Sequence, residues 1–343
     1  MRGMIAAAMS LLLSQLLAVQ AGAAEFKIAT VAPEGSQWMR EIRAAAAEVK
    51  ARTQGRVVVK LYGGGVMGNE KQVLRKIRIG QLHGGAFTAG GIAEKYQDIV
   101  LYGLPMLFMN HDEVDFVRQR MDGALMKGLE EAGFVSFGFA GGGFARIFAN
   151  RPITTTADMQ GQKIWVPEGD RVSTVAMEAM RLSPVALPVT DVLTGLQTGL
   201  LDVVAAPPVG VIALQWHTRV KYMTSTPMMY TMGLMAIDSR AFAKLDEADR
   251  NAFREVMGAV YRRFDQQSQH DDETARAALK ASGITVVDAE PAAVSTWREA
   301  AREANSLLGR EGTYTPALLQ QLEGYLAEYR RQAGPSPSGT GGP

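Results

Sequence analysis

The residue types that most often carry catalysis are sparse and poorly spaced in this chain. Cysteine is absent, which removes thiolate nucleophiles, thiolate metal sites and disulfides. The four histidines, His83, His111, His217 and His270, show none of the close pairing that a zinc site needs. His270 precedes Asp271 and Asp272 in a polar stretch, and His217 follows Trp216, where it either lines a cleft or packs and caps. No serine has the glycine spacing of a nucleophile elbow, and no local serine–histidine–acid set can be assembled. The run from Gly63 to Gly68 has the spacing of a phosphate loop, but Asn69 and Glu70 follow where a lysine and a hydroxyl are needed. Asp246-Glu247-Ala248-Asp249 spells a helicase signature without that loop, and reads as acids at a helix N-terminus. An enzyme therefore has no positive support, and neither a cofactor nor a metal is expected. The most informative stretch is Lys163-Ile164-Trp165-Val166-Pro167-Glu168-Gly169-Asp170. There an indole offers one N–H and a broad apolar face, with Glu168 and Asp170 beside it.

The elements that must position these groups alternate between strand and helix. Phe26 to Ala29 reads as a strand stopped by Pro33 and Gly35. A helix from Ser36 carries Trp38, Ile42, Ala45, Ala46 and Val49 at helical spacing. Arg56 to Tyr62 is rich in β-branched residues, and a helix from about Asn69 shows Val73, Leu74 and Ile77 on one face. A second such set begins near Gly161, with a strand at Lys163 to Val166 and a helix from about Ser173 to Arg181. This alternation predicts parallel sheets wrapped by helices, in two lobes of similar size. From Asp246 a helical pattern runs through Asp271 to Ala281 without a stop. Such a helix is long enough to brace both lobes.

The chain has 343 residues, 47% of them hydrophobic, enough for one large or two medium domains. Its net charge of +1, from 36 basic and 35 acidic residues, points to neither nucleic acid nor an anionic membrane surface. Residues 1–24 have a positive start at Arg2, a short apolar run from Ile5 to Val19, and small residues at Ala21 to Ala24. They read as a secretory signal peptide, with a retained anchor helix as the alternative. Without cysteine no lipid can be attached, so a periplasmic protein that is not a lipoprotein is expected. Residues 333–343 hold glycine, proline and serine with nothing to pack, and read as a disordered tail.

Read in order, several segments resemble one family. They include Lys27-Ile28-Ala29 with Trp38, then Thr53-Gln54-Gly55-Arg56-Val57, and Tyr62 through Gly68-Asn69-Glu70. Ile79-Gly80-Gln81-Leu82, Leu104-Pro105-Met106-Leu107-Phe108 and Gly143-Phe144-Ala145-Arg146 continue the set. Asp158 to Ile164, Leu196-Gln197-Thr198-Gly199 and Val220-Lys221-Tyr222 complete it. No piece is specific alone, but the ordered set, from about Phe26 to Gly283, is similar to the solute-binding proteins of tripartite ATP-independent periplasmic (TRAP) transporters. The similarity is to the branch typified by C4-dicarboxylate receptors. It implies an α/β fold, a two-lobe periplasmic binding protein with the ligand cleft between the lobes and a long lobe-spanning helix. Residues 25–145 plus about 232–270 would form lobe I, and 146–231 plus about 271–332 lobe II. It also implies lobe closure on a small-molecule ligand and delivery to a small and a large integral membrane subunit. A subset of such receptors works with a repeat-containing periplasmic partner, and the resemblance leaves that partner open.

Carried over position by position, the resemblance puts Arg146 on a cleft arginine of the family. Trp165 falls on the arginine that usually forms a bidentate pair with a substrate carboxylate, and Ala206 on an asparagine that steadies it. Val31 and Thr88 fall on first-lobe polar contacts and Tyr230 near another; Trp38, Phe87, Glu168, Pro207 and Trp216 complete the expected ligand-binding set. An arginine fork makes two charge-assisted hydrogen bonds in fixed geometry, and removing one partner of such a buried pair costs about 3–5 kcal/mol. Two readings follow. Either the ligand is hydrophobic or amphipathic and meets Trp165, Phe87, Val31, Ala206, Pro207, Trp216, Met228 and Met229, or it is an organic acid held by Arg146 with backbone donors or Arg171. Trp165 could also pack as lobe core, and Glu168 could pair Arg146 internally.

Overall fold

The computed structural model describes residues 23–333. The expected signal peptide, apart from Ala23 and Ala24, and the expected tail, apart from Ala333, lie outside the described residues.

Strand β1 (Ala24–Ala29) leads to α1 (Gln37–Arg52), whose N-terminus is capped by Ser36 accepting from the Met39 amide. Next come β2 (Val57–Tyr62) and α2 (Glu70–Arg78), opened by an Asn69–Gln72 capping box. This box explains why the glycine-rich run ends in a helix start rather than a phosphate loop. Strand β3 (Gly84–Thr88) ends in a helical turn at Ala89–Ile92, and α3 (His111–Glu131) precedes the 16-residue strand β4 (Phe134–Ala149). The second lobe continues with β5 (Ile164–Pro167), α4 (Arg171–Ala179), β6 (Pro184–Leu187), α5 (Val192–Thr198), β7 (Val203–Ala206), α6 (Pro208–Ala213) and β8 (Tyr222–Thr224). Strand β9 (Met229–Asp238) returns to the first lobe. Then α7 (Glu247–Ala281), β10 (Thr285–Val287), α8 (Pro291–Arg310) and α9 (Pro316–Ala333) close the described chain.

One sheet runs through both lobes in the order β2-β1-β3-β9-β4-β7-β5-β6. The pairs β1–β2, β1–β3, β5–β6 and β5–β7 are parallel. The sheet as a whole is mixed, which differs from the parallel sheets expected, because β9 and β4 run back antiparallel between the parallel halves. β4 changes partner along its length: Ala145 pairs with Met229 of β9, and the next residue, Arg146, pairs with Ala206 of β7.

Helix α7 is continuous over 35 residues, with Asp246 capping its start by accepting from the Asp249 amide. Phe253, Val256, Met257, Val260 and Tyr261 of its first half sit in the first-lobe core with Phe26, Ile28 and Ile42. Leu279 sits in the second-lobe core with Val204, Val211 and Trp216. The C-terminal residues differ from the expectation that placed all of 271–332 with lobe II. Ala293, Trp297 and Ala300 of α8 do pack there, with Ile164 and Val203. Ala304 and Leu308 of α8 and Leu322 and Leu326 of α9 pack instead with Val114, Val117 and Met121 of α3, and Arg330 pairs with Glu113 at 2.7 Å. Val172, Val175 and Ala176 of α4 join the same cluster, so the chain crosses from the second lobe back to the first while keeping its apolar stripes buried.

Candidate ligand-binding site

A cavity of ≈ 400 Å³ lies between the lobes. Val31, Thr88 and Met106 face it from the first lobe, and Trp165, Ala206, Pro207 and Trp216 from the second. The crossing strands contribute Ala145 and Ile147 of β4 and Met229 to Gly233 of β9, with Met228 just before them. Helix α4 adds Val172, Ser173, Ala176 and Met177, and α8 adds Trp297, Ala300 and Ala301. Among the residues lining it none is lysine, arginine or histidine, and Asp170 is the charged one.

Trp165 is only 6% exposed and donates its Nε1–H to the Leu187 carbonyl at 2.9 Å. The indole N–H is thus satisfied within the lobe, leaving the apolar ring surface for the cavity. The ring meets Trp216 edge-on, with centroids 5.1 Å apart at 78°. Trp165 is therefore both core of the second lobe and wall of the cavity. Tyr230 also lines it, with its hydroxyl turned to Arg118 Nη1 at 3.4 Å. Arg118 is buried, accepted by Asp122 and the Phe139 carbonyl and paired with Asp265. That network fixes the tyrosine from behind.

Other expected residues lie elsewhere. Arg146 does not line the cavity: strand side chains alternate between faces, so Ala145 and Ile147 point in and Arg146 points to the rear, toward His111, Asp272 and Arg276. The resemblance placed the arginine one position from the wall residue, and a one-residue offset on a strand reverses the face. Phe87 is 2% exposed in the first-lobe core, while its neighbour Thr88 faces the cavity. Trp38 stacks on Phe264 at 6.5 Å and 17°, joining α1 to α7. Glu168 stands outside the cavity and does not pair Arg146; its Oε2 accepts from Asn69 Nδ2 at 3.0 Å, linking the lobes. Arg171 is held by Glu311 at 2.7 Å and Glu178 at 3.2 Å, and does not line the cavity either.

The lobes meet closely at the cavity mouth. A Cβ at Gly90 would lie 3.3 Å from the Asp170 carboxyl and one at Gly65 2.7 Å from Thr190, both across the lobes; within the first lobe, a Cβ at Gly91 would lie 2.2 Å from the Glu70 carboxyl. Asp170 caps α4, accepting from the Val172 and Ser173 amides and the Ser173 hydroxyl, and burial raises its pKa. Glu70 accepts from the Thr88 amide and hydroxyl. Desolvation, with a smaller push from Asp170, sends its carboxyl up to about 7. The two acids flank the Gly90–Gly91 turn from opposite lobes.

Ala145, the α4 face and Trp297 line the cavity although the set expected from the sequence does not include them. The Val172–Ala176 spacing on α4 was a visible signal, since i and i+4 share a face. Nothing local marks Trp297, which reaches the cavity only because α8 packs across α4.

Residues 28–306 match the model of the DctP family, described as bacterial extracellular solute-binding protein, family 7. A solute-binding protein of Verminephrobacter eiseniae is 26% identical over 250 residues, covering 71% of this chain and 73% of that protein. The crystal structure of DctP7, a Bordetella pertussis extracytoplasmic solute receptor binding pyroglutamic acid, matches with a TM-score of 0.80 at 18% identity. That match covers 89% of this chain and 100% of that one. The sugar acid binding protein DctPAm of Advenella mimigardefordensis, in complex with galactonate, matches with a TM-score of 0.82 at 18% identity, covering 90% and 99%. With an apolar cavity enclosed by two α/β lobes and a family model matched over most of its length, the chain belongs to the bacterial extracellular solute-binding proteins of family 7, and is a solute-binding protein rather than an enzyme.

Proposed function

We propose that this protein is a periplasmic receptor of a TRAP-type transporter that captures a hydrophobic or amphipathic small molecule. Closure of the lobes encloses the ligand, and the loaded receptor delivers it to the small and large integral membrane subunits. The observation that carries the ligand class is the cavity wall, which has Trp165 and Ala145 where a carboxylate would need a cation. Burying about 300 Å² of apolar ligand surface contributes roughly 7 kcal/mol before the costs of association. The methionines at 106, 177, 228 and 229 form an adaptable wall. Thr88, Ser173 and Thr231 line it too; their hydroxyl protons go to Glu70, Asp170 and the Gly143 carbonyl, which leaves oxygen lone pairs to accept from one polar end of an amphipathic ligand.

Similar proteins bind pyroglutamic acid and galactonate, so an organic acid is the competing ligand class. Native mass spectrometry of receptor purified from the producing cell separates the two. An uncharged or amphipathic molecule should co-purify, and Trp165→Arg should lower its occupancy at least about a hundredfold by placing an unpaired charge in the wall. An organic acid of cavity size, such as pyroglutamate or galactonate, co-purifying instead and held as tightly or more tightly by Trp165→Arg would overturn the reading.

A further inference from the structure

Behind the hinge strands, on the face of β4 away from the ligand cavity, lies a second pocket of ≈ 190 Å³. His111 from the start of α3, Arg146 from β4, and Asp272 and Arg276 from α7 line it, with Asp112 and Glu273 at its exposed rim. Six buried side-chain polar atoms among the described residues lack a hydrogen-bond partner, and four of them belong to this one cluster: His111 Nε2, Arg146 Nε, Asp272 Oδ1 and Arg276 Nε. Orphans of this kind are normally rare and scattered, so their concentration marks a place built to meet something besides protein.

The charges say what that is. Asp272 is matched by Arg276 at 3.5 Å. The Arg146 side chain, in a residue only 8% exposed, has neither a hydrogen bond nor an ion pair among the described residues. With His111 held toward its neutral form by burial, Arg146, Arg276 and Asp272 together carry one more positive than negative charge, while the further acids Asp112 and Glu273 stand at the exposed rim, where solvent screens them. A buried guanidinium without a counter-ion is costly. Its planar fork suits an oxyanion, and its diffuse charge suits a halide.

We propose that this pocket binds a small monovalent anion, a halide or a short carboxylate, held by Arg146 with His111 and Arg276 beside it. Arg146 stands where β4 passes from β9 to β7, between α3 of the first lobe and α7, which spans both. The anion thus braces the hinge from behind, independently of whatever occupies the ligand cavity.

Chlorine NMR line width tests this on the whole protein without any transported solute. Wild-type protein should broaden the chloride line saturably, and sodium formate should reverse the broadening by competition. Arg146→Gln, with unchanged circular dichroism, should reduce the excess broadening about tenfold or more. Equal broadening in wild type and variant would overturn the proposal. Should the variant not fold, wild-type crystals soaked in sodium bromide decide: an anomalous peak beside Arg146 supports the site, and its absence there sinks it.

Discussion

At the residue scale, the ligand chemistry turns on which side chains share a face. Trp165 and Ala145 face the cavity, and Arg146, next to Ala145 in sequence, projects from the opposite face of the strand. Trp165 stands out in the sequence because its neighbours set the frame. The pattern Phe144-Ala145-Arg146 does not reveal which of two adjacent residues points inward, and the fold turns Arg146 to the rear. The half-buried acid Glu70 gives a pH test. Its carboxyl is raised to about 7 from an ordinary 4.5, so the folded protein hosts its protonated form better. That contribution is fully present below the ordinary value and disappears as pH rises through about 7. Urea unfolding should therefore show wild type losing ~1–3 kcal/mol relative to Glu70→Gln between about pH 5 and pH 8. Asp170 and Asp272, also raised by burial, stay in both proteins and largely cancel. Parallel curves for the two proteins would remove Glu70 from the account.

At the element scale, β4 decides the architecture. It pairs with β9 in the first lobe and with β7 in the second, and its register slips between Gly141 and Gly143. An extra residue at this point bends the strand where it leaves one lobe for the other. Gly143 has φ of +83, and a Cβ there would come within 2.9 Å of Asp272 Oδ1. Gly143→Ala combines left-handed strain with that contact and should destabilise the protein by about 1–3 kcal/mol, measured by denaturant midpoint. Gly123→Ala, on exposed helix surface with open space around its Cβ position, should be neutral to stabilising by up to about 1 kcal/mol. A loss of equal size at both positions would argue against a hinge-specific strain.

At the scale of the whole molecule, the lobes are joined by strands, a long helix and a few contacts at the cavity mouth. The Asn69–Glu168 hydrogen bond is exposed, so Glu168→Ala should change global stability by less than about 1 kcal/mol. It spans the two lobes, however, and its loss should shift the population toward open receptor. Distance measurements between spin labels on α2 and α5 should lengthen in the variant, with an unchanged distribution speaking against a latch.

What the sequence determined by itself was local and periodic. The caps at Ser36, Asn69 and Asp246, the helical stripes of α1, α2 and α7, and the strand–helix alternation were legible because each depends on residues a few positions apart. The ordered segments likewise carried the family. The tertiary structure decided what depends on distant residues meeting: the antiparallel return of β9 and β4, the docking of α9 on α3, and the arrival of Trp297 at the cavity. It also decided that Arg146 faces the rear of the hinge and not the ligand. The physical reason is that strand pairing and helix docking set which face is inward, and a period of two makes a single residue's offset the difference between wall and back.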